Sequence, residues 1–79
     1  MITLKPGDSC YYETVRDGLV PCKMVSRVDL TVTLKVTRNG RTCYRAGEII
    51  ETTPRHAVPR AAVCRRKYAT YILPYIVES

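Results

Sequence analysis

Between Thr31 and Thr37 apolar and polar residues alternate without a break, Val32, Leu34 and Val36 against Thr31, Thr33, Lys35 and Thr37. Successive side chains leave a strand on opposite faces, so a period of two is the mark of a half-buried strand. Upstream the same period carries Val20, Cys22, Met24 and Val28 on one side, with Lys23, Val25 and Arg27 on the other. Residues 20–40 therefore read as two adjacent strands with one dry and one wet face. The stretch ends at Asn39-Gly40, the strongest short hairpin signal, because a type I′ turn needs positive φ at both central residues and these two residue types tolerate it.

Residues opposed across an antiparallel ladder point to the same side, so parity sets the register. Val28 is expected opposite Val32, across a three-residue loop Asp29-Leu30-Thr31. A turn at Asn39-Gly40 pairs Arg38 with Arg41, Thr37 with Thr42, Val36 with Cys43 and Lys35 with Tyr44, which puts Cys43 in the core and Tyr44 on the wet face. Earlier in the chain, Lys5-Pro6-Gly7-Asp8 is a turn signal leading into a strand over 9–15 that sends Cys10 and Tyr12 inward, and Arg16-Asp17-Gly18 reverses it. Later, Ala46-Gly47-Glu48 turns the chain into a short strand over 48–52 in which one of Ile49 and Ile50 faces inward, and Thr53-Pro54 ends it. Pro59 after Val58 suits the start of one helical turn, with Val63 opening a last strand. A helix over 59–68 competes with that reading, since Ala61, Ala62, Lys67 and three arginines favour it.

With 79 residues, 46% of them hydrophobic, the chain has room for one domain whose core is near the lower limit for independent folding. There is no Trp or Phe, so Val, Ile, Leu and the six tyrosines must fill it. The four cysteines, Cys10, Cys22, Cys43 and Cys64, stand 12, 21 and 21 residues apart with no close pair, and His56 is the sole histidine. That spacing disfavours a zinc site and suits small buried thiols in a reducing compartment. All four are expected to be free and largely buried, with no cofactor or metal. The opening residues carry no apolar run of the secretory kind and no stretch reaches the roughly 20 apolar residues of a membrane span, so a cytoplasmic setting is expected.

Short strands, a tight hairpin and a Val-Pro turn before a final strand resemble the Src-homology-3-like small barrel, the architecture also used by Tudor and KOW modules. The resemblance runs from about Gly7 to Arg65. It rests on Gly7-Asp8-Ser9-Cys10-Tyr11-Tyr12, similar to the Gly-Asp-x-Val opening of the Tudor-like and KOW-like versions, and on Val58-Pro59-Arg60-Ala61-Ala62-Val63, similar to the Val-Pro-x-x-x-Val before the last strand. It implies an all-β, five-stranded barrel over residues 1–65 with a short helical turn, followed by an extension over 66–79. The Ala-Leu-Tyr-Asp-Tyr segment, groove Trp and late Tyr of the proline-peptide binders are missing, so that specificity is not implied. The extension joins a basic run to Tyr68, Tyr71, Ile72, Leu73, Tyr75, Ile76 and Val77. So apolar a segment packs on the barrel or on a partner, self-association through Tyr68 to Val77 included.

Charge gives the functional direction. Formal net charge is +6, and Lys plus Arg exceed Asp plus Glu by 5 to 4 through Thr37 but by 8 to 3 beyond it. Nine arginines against four lysines favour planar, bidentate anionic groups such as phosphate or carboxylate. Arg38, Arg41 and Arg45 gather at the expected hairpin and Arg65, Arg66 and Lys67 form the densest run. With Tyr44 as an outward stacking residue, these are the candidate contacts to a nucleic acid or a nucleoprotein complex. The alternative is a docking module that sets its arginines against an acidic protein surface and its sheet edge or apolar tail into the contact. Paired carboxylates, a nucleophile with its base and a phosphate-cradling glycine loop are all missing, which disfavours an enzyme. In size and make-up the chain resembles the small proteins of phages and mobile elements, including inhibitors of host machinery such as anti-CRISPR proteins. That likeness implies a protein that occupies a surface or a nucleic-acid path.

Overall fold

The computed structural model describes all 79 residues. In chain order it contains β1 (Ile2–Leu4), β2 (Ser9–Thr14), β3 (Gly18–Val28), β4 (Thr31–Val36) and β5 (Ile49–Thr52), a 3-10 turn at Pro54–His56, β6 (Ala57–Pro59), a second 3-10 turn at Arg60–Ala62, then β7 (Val63–Arg65), β8 (Thr70–Ile72) and β9 (Tyr75–Val77). The protein is all-β, as its alternating pattern requires. Five strands form one antiparallel sheet in the order β5-β4-β3-β2-β6, β1 pairs with β9 in parallel, and β7 pairs with β8 as a hairpin. The main sheet keeps two edges, β5 and β6, and no ladder joins them. Nine strands stand where five were expected, because the C-terminal residues build ladders of their own.

The core lies on one face of the main sheet. Val20, Cys22 and Met24 of β3 and Val32, Leu34 and Val36 of β4 are buried together with Cys10, Ile50 and Ala57, and Leu4 and Val77 close the layer. Each fully buried Leu, Val or Met contributes about 1.5–3 kcal/mol relative to exposure. Of the two adjacent isoleucines, Ile50 is the inward one and Ile49 stays 57% exposed. One 3-10 turn follows Pro59 and Val63 leaves it as a strand. The helix over 59–68 does not form, because Pro59 is buried in the ladder opposite Cys10 and Ala62 is buried beyond it.

A β-bulge corrects the expected β3–β4 register. Met24 faces Leu34, but the next pair is Ser26 with Thr33, so Val25 is an extra residue and parity inverts beyond it. Arg27, not Val28, now shares the inner face with Val32. Val28 turns out to 69% exposure, opposite Thr31, across a two-residue loop whose first residue, Asp29, adopts φ 54°. Asp tolerates this left-handed region better than most residues. The inward Arg27 is satisfied at both ends: its Nε donates to the Asp29 carbonyl at 2.7 Å and its Nη1 to the Val77 carbonyl of β9.

A second correction concerns Asn39-Gly40. β4 pairs not with residues 41–44 but with β5, Leu34 facing Ile50, so the hairpin carries a long connection from Thr37 to Glu48. The left-handed glycine of this connection is Gly47, at φ 92°, and Gly40 does not adopt positive φ. Two effects outweigh the local turn signal. Pairing with β5 sets Ile50 against the core where the alternative offers only Cys43. The connection also has its own polar partners: Asn39 Oδ1 accepts from the Ala46 N–H at 2.8 Å, and the Gly40 N–H donates to the Tyr44 carbonyl at 2.8 Å.

The C-terminal residues are tied to the rest at two levels. β9 pairs with β1, Leu4 facing Val77, and the Glu78 N–H donates to the Leu4 carbonyl at 2.8 Å. The Tyr75 hydroxyl reaches the carbonyls of Pro54 and Arg55 at 3.1 and 3.0 Å, which gives a polar partner to a side chain packed against the core. Pro74 falls between β8 and β9, where no ladder needs its missing N–H. No helix is long and apolar enough to cross a membrane.

Candidate nucleic-acid interface

Cys10 and Cys22 are cross-strand partners on the buried face, so their neighbours Tyr11 and Pro21, also paired, project from the opposite face. Around this Tyr11–Pro21 pair four arginines from distant parts of the chain converge. At one end Arg38 and Arg60 line a small depression of about 130 Å³ together with Tyr11, Pro21 and Thr37. At the other end Arg41 and Arg65 line a groove of about 410 Å³ with Leu19, Pro21, Asn39 and Thr70. Pro21 belongs to both, so the two hollows form one track across β2 and β3. The Arg65 guanidinium lies 5.9 Å from the centre of the Tyr11 ring, a cation–π contact that holds the charge over the sheet.

Local folding explains how these residues meet. The Thr37 N–H donates to the Pro21 carbonyl at 3.0 Å, which carries the β3–β4 pairing one residue beyond Val36 and sets Thr37 and Arg38 beside Pro21. Asp17 then pins the connection. Its buried carboxylate, only 6% exposed, accepts from the Thr42 hydroxyl, from the Thr42 N–H at 3.2 Å and from the Cys43 N–H at 3.1 Å. The Thr42 hydroxyl first, then the N–H groups of Cys43, Thr42 and Tyr44, hold the Asp17 carboxyl below the usual carboxylate range. Gly40 is required by this approach, since a Cβ there would lie 2.6 Å from Asp17 Oδ2.

Positive charge on this face is in excess and unpaired. The single ion pair of the structure joins His56 and Glu13 at 3.7 Å, and none of the thirteen Lys and Arg side chains has a carboxylate within that reach. Asp17 is the one carboxylate bordering the track, a single negative charge against four arginines, and its oxygens bond to the connection and not to a guanidinium.

The candidate residues from the sequence divide into those brought together and those set apart. Arg38, Arg41 and Arg65 share the track, although Arg38 and Arg41 are not ladder partners. Tyr44 is turned away from it: its ring meets Tyr12 edge-on at 5.5 Å and 89° and packs against the core, so the outward stacking position assigned to it is corrected. Arg45 sits in the turn before β5, where its N–H donates to Glu48 Oε2 at 3.3 Å. Arg66 and Lys67 line a different cavity on the β7–β8 hairpin. Tyr11 and Arg60 complete the track and stand outside the candidate set. Parity already turned Tyr11 outward, whereas no local signal carries Arg60 to Arg38, because the β2–β6 pairing that does so spans more than forty residues.

All four thiols are free. Burial pushes Cys10 up to about 12 and Cys22 up to about 11. Cys43 is exposed, not buried as parity in the expected hairpin required. Its sulfur lies 3.4 Å from the Thr42 hydroxyl and 3.6 Å from Arg16 Nη1, and these two, the hydroxyl first, lower its pKa. Cys64 is half-buried on β7. No protein-family model, curated protein or solved structure matches this chain.

Proposed function

We propose that this protein is a small, non-enzymatic nucleic-acid-binding module whose contact surface is the track across the outer face of β2 and β3. One observation carries the reading: Arg38 and Arg41 from one stretch of sequence and Arg60 and Arg65 from another converge on one sheet face with no carboxylate paired to any of them. Folding four cations onto one face costs repulsion that an anionic partner relieves, and guanidinium forks match phosphate oxygens bidentately. Tyr11 and Pro21 give the floor an apolar surface on which sugars or bases can lie. Phosphate contacts of this kind supply affinity and carry no sequence information, so the module tracks a backbone and does not read bases.

The same reading takes the five-stranded sheet, with its flanking ladders, as an open form of the Src-homology-3-like barrel. Such a module would act in a reducing, cytoplasmic setting by occupying a nucleic-acid path, which is the mode implied by the likeness to small phage-encoded inhibitors. Fluorescence anisotropy with a labelled oligonucleotide, single-stranded and duplex, tests the reading. Arg41→Glu with Arg65→Glu should weaken binding at least tenfold while circular dichroism stays unchanged and the melting temperature is equal or higher. Equal affinity of the folded variant removes the track as the site.

A further inference from the structure

A separate surface lies on the β7–β8 hairpin. Along β7 and β8, Cys64 and Tyr71 face each other, whereas Arg65 and Thr70 belong to the opposite side, the one that meets Tyr11 and the track. Beside the Cys64–Tyr71 pair is a cavity of about 830 Å³, lined by Tyr68, Tyr71 and Leu73, by Ile72 from the other side of the strand, and by Arg66 and Lys67. Tyr68 is 88% exposed and Tyr71 56%, and Ile72 and Leu73 are each about 40% exposed. Contiguous apolar exposure on so small a protein marks an interaction site.

The backbone makes the site specific. The hairpin is bracketed by two bonds, Arg66 N–H to the Ala69 carbonyl and Leu73 N–H to the Ala62 carbonyl, each 2.8 Å. Bonded pairs alternate along an antiparallel ladder, so between these two it is Cys64 and Tyr71 that exchange hydrogen bonds. Thr70 and Ile72 therefore direct their N–H and C=O groups away from β7. No strand pairs with β8 on that side, and no other hydrogen bond uses those groups. Thr70-Tyr71-Ile72 is short, but it carries neither charge nor proline nor bulge to block an added strand.

We infer that the free edge of β8 takes an added strand, an extended acidic segment of another protein. It pairs with Thr70 and Ile72, lays apolar side chains against Tyr71 and Leu73, and sets carboxylates at Arg66 and Lys67. Charge selects this occupant. Arg66 and Lys67 have no carboxylate partner, and a second copy brings the same cations and the same +6, with no Asp or Glu between residues 66 and 77. A nucleic-acid strand answers the cations but offers nothing that continues a β ladder.

The probe is a fluorescein-labelled, end-capped octapeptide of four Val followed by four Glu, whose apolar half can lie at Tyr71 and Leu73 while its acidic half reaches Arg66 and Lys67, titrated against the full chain, with the Val and Lys peptide of the same pattern as control. The Val/Glu peptide should bind, the Val/Lys peptide should not, and binding should slow hydrogen exchange at the Thr70 and Ile72 amides of the unaltered protein. Ile72→Pro removes an N–H that bonds to nothing in the fold and should weaken binding at least tenfold. Arg66→Glu with Lys67→Glu, which leaves the ladder untouched, should do the same. Lack of binding up to millimolar peptide, or binding that leaves both amides unprotected, overturns the inference. So does a dimer through β8 that the peptide cannot displace, or protection of those amides by an oligonucleotide in place of the peptide. The peptide results do not bear on the arginine track, whereas protection by an oligonucleotide would, because Thr70 also lines that groove.

Discussion

Replacing Gly40 by alanine places a Cβ 2.6 Å from Asp17 Oδ2 and 3.3 Å from Tyr44 Cβ, the first of these inside any normal contact distance. The carboxylate cannot swing away without cost, because it holds the Thr42 hydroxyl and the N–H groups of Thr42 and Cys43. Either those bonds break or the connection shifts. Overpacking of this kind costs roughly 1–3 kcal/mol, and about 1 kcal/mol lowers the melting temperature of a domain this small by roughly 4–8 °C. Gly40→Ala should therefore melt at least about 4 °C lower. A double-mutant cycle with Asp17→Ala, followed by urea and thermal unfolding, identifies the cause. With the carboxylate gone the clash is gone, so Gly40→Ala should cost less than half as much in the Asp17→Ala background. If Gly40 instead occupied a type I′ turn, its penalty would come from positive φ and be the same in both backgrounds. Additive effects would refute the close approach of Asp17 and with it the path of the connection.

Thiol labelling with an aromatic disulfide at neutral pH should modify Cys43 first and Cys64 more slowly, with Cys10 and Cys22 reacting only on unfolding; early reaction of the buried pair would contradict the core. Arg16→Ala should slow the Cys43 reaction, since Arg16 helps hold its thiol at a lowered pKa. Cys10 and Cys22 have folded pKa values of about 12 and about 11, above the ordinary value of 9.0, so the folded state keeps protons that the unfolded chain releases. The stability they contribute is intact below about pH 9 and lost as pH rises from there toward 11–12, with a slope approaching two protons, and Cys10→Ala with Cys22→Ala should flatten that limb. Ile50→Ala should cost roughly 2–4 kcal/mol in urea unfolding and Ile49→Ala well under 1, and equal effects would mean that β5 pairs one residue out of register.

The parts of this fold that were readable in advance are those written in local period. Alternation over Thr31–Val36 identified β4, its inward residues and the all-β class, and the same rule said that only one of Ile49 and Ile50 faces inward, though which one came from the pairing with β4. Period fails where one residue is inserted: nothing about Val25 marks it as a bulge, yet it moved Val28 from core to surface and Arg27 inward. Asn39-Gly40 is a strong local signal that a non-local gain overrode, because Ile50 beside Leu34 buries more than Cys43 beside Val36 would. Asp17, the residue that organises the connection, has no local signature, since its partners Thr42 and Cys43 are some 25 residues away. The candidate site was legible as composition and not as geometry. Excess arginine after Thr37 was plain, but which arginines share a face depended on the β2–β6 pairing and on the turn of the chain after β4.

Salt dependence of nucleic-acid binding tests the arginine track most directly. Each phosphate neutralised releases about 0.7 of a counterion from a single strand and about 0.9 from a duplex, so four arginines predict a slope of log Kobs on log salt near −3 for single strands and about −3.6 for duplex. The variant with Arg38, Arg41, Arg60 and Arg65 all changed to Ala should retain only a shallow residual slope while melting at an equal or higher temperature. A wild-type slope near zero, or a steep slope that survives in the folded quadruple variant, would contradict the proposal that this face carries the binding.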